Sequence, residues 1–198
     1  MNFELSILLL IIFIVLLLHH YKLYYNDMTY VKSDTDETFY LVRNNPNKQE
    51  ASNLLAKIKK NITTLSNYLY ENRNSPENIN YKEYIDLLYS KAPHIIIIES
   101  TQDSLYTSYC VNKGEQIIFC LRPRYTSNKL YDINLMMYVV LHEISHVACP
   151  IYDNHGPLFR KIFAFITRNA ININLYKRIP FNDKPINYCG LLITDSII

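Results

Sequence analysis

Two histidines in the sequence are spaced so that they could hold one metal ion together. His142 and His146 are the ends of His-Glu-Ile-Ser-His, an HExxH motif within a stretch that reads as a helix. Residues four apart lie one turn apart on the same helical face, so both imidazoles can reach one ion. Glu143 projects beside them and can take a proton from a water that the ion activates. The motif therefore predicts a metal centre with Glu143 as the catalytic residue.

A third metal ligand is expected just beyond this helix. Pro150 stops the helix and His155 follows a short turn, where Gly156 relieves crowding as the chain doubles back. A catalytic zinc ion typically has three protein ligands and one open position. We therefore predict one Zn²⁺ per chain, bound by His142, His146 and His155.

Other interpretations of these residues stay open. Asp153 is the alternative third ligand, or it could orient a ligand imidazole from outside. Cys149 could bind zinc as a thiolate, although a buried thiol is the simpler interpretation. The two helical histidines could also be hydrogen-bonded members of an ordinary core.

The surrounding elements follow from periodicity. Apolar residues at three- and four-residue steps predict helices over residues 49–71, 81–89, 132–148 and 157–170. β-branched residues predict a buried strand over 94–98. Residues 106–111 and 116–121 flank a turn that contains Gly114, which is typical of a β-hairpin. Cys110 and Cys120 stand on its two arms, where they could face each other or remain thiols.

Composition excludes several kinds of function. The chain has 198 residues, enough for one core, and only 3 glycines, so it cannot build a phosphate-binding loop or a dinucleotide fingerprint. Its net charge of +2 gives no indication of a nucleic-acid partner. The 4 cysteines include no CxxC pair, which argues against a structural zinc site built from cysteine.

The N-terminus differs in character from the rest of the chain. Residues 5–18 form an apolar run with Ser6 as its one polar member, and histidine and tyrosine follow it. This pattern predicts a transmembrane helix that anchors the chain in a lipid membrane, because no small residue offers a signal-peptide cleavage site. A buried core helix is the alternative. We expect residues 1–25 to be the anchor, 26–47 a tether and 48–198 the main domain. Lys22, which follows the apolar run, favours the cytoplasmic side for that domain.

The sequence also resembles known families. The segment LHEISHVACPIYDNHGPLFRKIF resembles the active-site segment of SprT-like and WLM-type zinc metallopeptidases, although the gap between His146 and His155 is longer than in the WLM pattern. Together with YCVNKGEQIIFCLR and YCGLLITDSII, it is similar to membrane-anchored metallopeptidases of large DNA viruses. The resemblance implies an α+β, zincin-like domain with a small, mostly antiparallel sheet packed on the HExxH helix. It also implies that His142, His146 and His155 are the ligands and that Glu143 is catalytic.

The sequence thus predicts a single-pass protein of a host or virion membrane that hydrolyses peptide bonds in a protein or peptide substrate. Residues 116–121 are the expected edge strand for aligning that substrate. Tyr152, Tyr125 and Arg122 are all available to stabilise the oxyanion. One alternative is a non-catalytic, zinc-stabilised membrane protein that acts as a virion or assembly component. Another is a hydrolase of a non-peptide substrate, because HExxH specifies activated water rather than its target.

Overall fold

The protein is α+β, with five α-helices and seven short strands among the residues that the structure describes. The structure is a computed structural model that describes residues 3–125, 127–150 and 155–198. The helices are α1 (Phe3–Asp27), α2 (Lys48–Glu71), α3 (Lys82–Lys91), α4 (Ile133–Ala148) and α5 (Pro157–Asn172). The strands are β1 (Met28–Lys32), β2 (Phe39–Arg43), β3 (Ile96–Glu99), β4 (Tyr109–Val111), β5 (Gln116–Phe119), β6 (Ile186–Tyr188) and β7 (Leu191–Ile193).

The strands form three small sheets rather than one. β1 pairs with β2 and β6 with β7, each pair antiparallel, while the central sheet has the order β3-β5-β4. Within it β5 runs antiparallel to β4 but parallel to β3, so the central sheet is mixed, not mostly antiparallel. The apolar residues of β5 explain its central place, because Ile117, Ile118 and Phe119 are all buried.

The predicted helices of the domain and the β4–β5 hairpin are confirmed. Most of the apolar stripe of α2 is buried, as its periodicity requires. α4 is buried along most of its length, since it packs on α2, α3, α5 and β4. The neighbouring elements thus remove the many apolar positions of this helix from water on most sides. The core of the protein is therefore arranged around the helix that carries the HExxH motif.

The prediction of an N-terminal transmembrane helix is wrong. Within the described ranges, no helix is both long enough and apolar enough to cross a bilayer. The apolar run over residues 5–18 rises about 21 Å as a helix, against a hydrocarbon thickness of roughly 30 Å. The predicted single-pass location in a host or virion membrane, with the domain facing the cytoplasm, depended on that helix and is corrected with it.

The segment predicted as a tether contains regular structure. β1 and β2 pair over five residue positions, from Met28 opposite Arg43 to Lys32 opposite Phe39. The hairpin packs on α2, and its buried side chains Tyr40 and Val42 join the main core. The boundaries proposed at residues 25 and 47 stay a prediction.

A buried ion pair joins this hairpin to the central sheet. Glu99, at the end of β3, accepts hydrogen bonds from Arg122 Nε at 2.7 Å and Arg122 Nη2 at 3.1 Å, and neither side chain is exposed. The backbone N–H of Arg43 donates to Glu99 Oε2 at 2.8 Å. Arg122 also donates to Asn47, just before α2. One carboxylate therefore fixes β2, β3 and the residues after β5 relative to one another.

Replacing this carboxylate should cost far more stability than replacing an exposed one. We expect Glu99→Gln to lower the free energy of unfolding by about 3 kcal/mol, because the buried guanidinium of Arg122 loses its counter-charge. The matched control is Glu37→Gln, which breaks the exposed Lys32–Glu37 pair and should cost less than about 0.5 kcal/mol. Urea denaturation followed by circular dichroism measures both; equal losses would contradict this role for Glu99.

The turn of the β4–β5 hairpin rests directly on α4. Gly114 has a φ of +106°, and a Cβ added there would lie 2.8 Å from Val147 Cγ1. Only glycine allows this backbone conformation and this approach together. The contact therefore sets the distance between the hairpin and the HExxH helix.

Two glycine substitutions separate the effect of the backbone conformation from the effect of the contact with Val147. Gly190 also has a positive φ, +91°, but an added Cβ there meets nothing within 4 Å. Gly190→Ala should therefore cost about 1 kcal/mol from backbone strain alone. Gly114→Ala should cost a further 1–3 kcal/mol, approximately, because it also overpacks against Val147. Thermal and urea unfolding of the two variants test this. A Gly114 variant no less stable than the Gly190 variant would show that Val147 can move aside without loss of stability.

Candidate metal centre

α4 fixes the first two imidazoles of the site. The helix begins after Asp132, whose carboxylate accepts from the backbone N–H of Asn134 at 2.8 Å. It ends where the N–H of Cys149 donates to the carbonyl of Ser145 at 2.9 Å, just before Pro150. Between these ends His142 and His146 lie one turn apart, and their Nε2 atoms are 3.3 Å from each other.

His155 completes a cluster of three. It lies immediately before Gly156, which caps the start of α5, and its own φ is +101°. This left-handed conformation costs a non-glycine residue about 1–3 kcal/mol, so the position is held by its surroundings. Its Nε2 lies 3.2 Å from that of His146 and 3.0 Å from that of His142. The structure thus brings together the three histidines that the sequence singled out.

Hydrogen bonding alone cannot satisfy three imidazole nitrogens that all face one another. Each Nε2 either carries a hydrogen or presents a lone pair, never both in the ring plane. Among three mutually adjacent atoms of two kinds, at least two must be alike, and that pair repels. A cation at the centre removes the conflict, because it accepts all three lone pairs.

The spacing also suits a metal ion. Tetrahedral Zn²⁺ with Zn–N bonds of about 2.05 Å requires its nitrogen ligands to be about 3.3 Å apart. The observed Nε2 separations are 3.3, 3.2 and 3.0 Å. His142, His146 and His155 could therefore bind a metal ion with little rearrangement.

The surroundings keep the two helical imidazoles neutral. Burial, and then the proximity of His146 and His155, lower the pKa of His142 to about 3. Burial, followed by the charges of His155 and Lys113, lowers the pKa of His146 to about 4. At neutral pH both rings therefore keep a lone pair, which is the form that binds a metal.

Glu143 lies beside the cluster with its side chain largely out of contact with solvent. Its side chain is buried, and burial raises the pKa of its carboxyl group to about 8. Burial also raises the pKa of the Cys110 thiol to about 11, and the nearby charge of Glu143 adds to that rise. A cation next to Glu143 would favour its ionised form, so the carboxylate could then accept a proton.

Phe159 of α5 supports all three imidazoles from one side. Its ring stacks on His146 at 4.2 Å between centroids, and lies 5.1 Å from His142 and 4.9 Å from His155. In the sequence, Phe159 is one apolar position of the helix predicted over residues 157–170. Its spacing from the HExxH motif carries no signal of this role, since the packing of α5 on α4 decides it.

The cluster opens into a cavity of about 800 Å³. One wall is β4 with the residues before it, and the floor is the face of α4 that bears Val139, His142, Glu143 and His146. The C-terminal hairpin also lines the cavity, through Leu191 and Ile193. A cavity of this size can take several residues of an extended peptide or a molecule of similar volume.

The expectation that residues 116–121 form the substrate-aligning edge strand is wrong. β5 is central in the sheet, with β3 on one side and β4 on the other, so its backbone hydrogen bonds are already used. β4 is the edge strand next to α4, and no other strand in the described parts of the chain pairs with its outer side. The sequence does not indicate which of the two hairpin strands lies at the edge of the sheet.

Other candidate residues from the sequence do not lie in the cavity. Arg122 is completely buried against Glu99, and Tyr125 is exposed on a loop outside the cavity. Cys149 is buried and is not part of the imidazole cluster. Tyr152 and Asp153 lie outside the described residues. Cys120 does not face Cys110, because its disulfide partner is Cys189.

The fold and the site together define an α+β protein whose buried HExxH helix carries a candidate metal centre. The chain is 44% identical over 173 residues to uncharacterized protein R325 of Acanthamoeba polyphaga mimivirus. The aligned residues cover 87% of this chain and 86% of that protein. The chain therefore belongs to the family of this mimivirus protein.

Two more similarities have lower identity. Uncharacterized protein 136R of Invertebrate iridescent virus 6 is 29% identical over 117 residues, covering 58% of this chain and 62% of that protein. The expected kinship with viral proteins is thus confirmed, whereas membrane anchoring is not supported. The crystal structure of Wss1 from Saccharomyces cerevisiae is similar with a TM-score of 0.46 and 20% identity, covering 65% of this chain and 84% of that one. No family model matches the chain.

The aromatic support predicts a specific effect on metal affinity. We expect Phe159→Leu to weaken metal binding about tenfold, because the three rings lose the surface that orients them. Phe165→Leu is the matched control, since Phe165 is also buried on α5 but stacks on Tyr81 at 4.0 Å. Competition with a chromogenic chelator measures both affinities. Equal weakening in the two variants would assign the effect to general loosening of α5.

Proposed function

We propose that the protein is a zinc-dependent metallopeptidase that hydrolyses peptide bonds, with Glu143 as general base. One observation carries the proposal: three imidazole Nε2 atoms within 3.3 Å of one another converge beside Glu143 on the floor of a cavity. Three nitrogen ligands leave a fourth position open on the cavity side, which distinguishes a catalytic site from a structural one.

The donor set favours zinc among the common metals. Three imidazole nitrogens suit Zn²⁺, whereas Mg²⁺ and Ca²⁺ prefer oxygen ligands. Zinc bound there would supply a Lewis acid that polarises a carbonyl and lowers the pKa of water towards 7. His142, His146 and His155 are the proposed ligands, one ion per chain.

Glu143 would perform the proton transfers. Its carboxylate would remove a proton from the attacking water and deliver that proton to the departing amine. Because its side chain is buried, the carboxylate lies in a medium of lower dielectric constant than water, where its electrostatic interactions are stronger. Phe159 would act as a positioning residue, since it contacts the imidazoles and not the reacting atoms.

The edge strand favours a peptide as substrate. An extended chain could add to the outer side of β4 through main-chain hydrogen bonds, beside the face of α4 that bears Glu143. Such pairing would hold the backbone of the substrate in register without requiring a particular sequence. Side-chain selection would then depend on the walls of the cavity.

Metal analysis tests the first half of the proposal. The full-length chain should hold about one zinc per molecule, and His142→Ala should lose most of it, because two imidazoles form a much weaker site. Elemental analysis after gel filtration measures the ratio, and circular dichroism checks that the variant is folded. Equal zinc in wild type and variant would contradict the assigned ligands.

Substitution of the proposed base tests the second half. Glu143→Gln should retain zinc but hydrolyse unfolded protein at least about 100-fold more slowly than wild type. Glu83→Gln, which changes an exposed carboxylate on α3, should have no effect. Zinc binding without any hydrolysis by wild type would favour the alternative in which the metal only stabilises the fold.

A further inference from the structure

The C-terminal hairpin β6–β7 is fastened to the domain at its turn. Cys189, in that turn, forms a disulfide with Cys120, directly after β5. The hydroxyl of Tyr188 donates to the carbonyl of Cys120 at 2.8 Å and shares a hydrogen bond of 2.7 Å with Ser108. The backbone of the hairpin turn is held as well, since the N–H of Cys189 donates to the hydroxyl of Tyr131 at 2.9 Å.

The chain after the hairpin is fastened to α4. The hydroxyl of Tyr138 donates to the carbonyl of Asp195 at 3.3 Å and accepts from the N–H of Ile197 at 3.2 Å. Tyr138 lies on α4 one turn before His142, so the hairpin and the metal centre share one support. Held at both ends, β7 is a fixed wall of the cavity.

This wall presents apolar side chains to the site. Leu191 and Ile193 alternate with Leu192 along β7, so the first two lie on the face that lines the cavity and Leu192 does not. Leu191 keeps 54% of its surface exposed and lines the same cavity as the three histidines. The cavity face of α4 continues the apolar surface with Val139.

Two charged side chains that line the cavity, Lys113 and Asp195, make hydrogen bonds to backbone groups. The ammonium of Lys113 donates to the carbonyl of Cys149 at 2.8 Å, and Asp195 Oδ1 accepts from the N–H of Ser196 at 2.8 Å. An apolar surface with few converging charges binds an apolar group, because burying that group removes both surfaces from water.

We propose that Leu191 and Ile193 form the side-chain subsite of the peptidase, which selects substrates with a large apolar residue next to the scissile bond. The proposal rests on the proposed hydrolysis of peptide bonds. The substrate class is then an extended polypeptide segment that exposes Leu, Ile, Met or Phe, with its backbone along β4 and one side chain on β7.

The test uses the zinc-loaded full-length chain and a diverse mixture of peptides, with cleavage sites identified by mass spectrometry. Wild type should show enrichment of large apolar residues at one position flanking the cut. Leu191→Asp should lower kcat/KM for an apolar peptide about tenfold or more, mainly through KM, and remove the enrichment. Leu192→Asp is the matched control, since Leu192 is 55% exposed on the opposite face. It should change neither kcat/KM nor the enrichment by more than about twofold.

A second variant guards against loss of structure in the first. Leu191→Ala enlarges the subsite and should shift the preference from Leu towards Phe and Tyr. Zinc content should be unchanged in all three variants. Cleavage by wild type without apolar preference, a preference for Lys or Arg near Asp195, or equal effects of Leu191→Asp and Leu192→Asp would overturn the subsite while leaving the peptidase in place. Zinc-loaded wild type that cuts no peptide would instead overturn the proposed function and the subsite with it.

Discussion

Three imidazole nitrogens that face one another are unstable as neighbours unless something positive lies between them. Their hydrogen atoms cannot be arranged so that every pair attracts, and burial discourages protonation of His142 and His146. The rest of the domain holds this arrangement in place. α4 sets the spacing of two rings, the start of α5 sets the third, and Phe159 contacts all three.

The supports lie on different segments, which makes the site rigid. The turn at Gly114 presses the β4–β5 hairpin against Val147, next to His146. On the far side of the sheet, the Glu99–Arg122 pair anchors the residues after β5, where Cys120 then ties down the C-terminal hairpin. A loss at either place would displace a wall of the cavity without touching a proposed ligand. Precise sites need such support, because a small misplacement costs much of the activity.

Sequence reasoning succeeded where the determining contacts are local. The HExxH spacing, the helix that carries it and the β4–β5 turn all follow from neighbours within a few residues. It failed where distant segments decide. The partner of Cys120 is 69 residues away, and the inner place of β5 depends on β3, so no local pattern indicates either. Residues 5–18 are clearly apolar in composition, but the run is shorter than the roughly 20 residues that a membrane span needs.

The roles of Phe159 and Leu191 show what the local pattern leaves undetermined. Both are apolar residues of regular elements, yet one is buried beneath the imidazoles and the other lines the cavity and is half exposed. Their positions give the site two unlike sides, with polar ligands against α5 and an apolar wall against β7. A substrate that covers the apolar wall would expel water from the space above Glu143. Electrostatic interactions strengthen as water leaves, so binding at one side of the cavity would promote chemistry at the other.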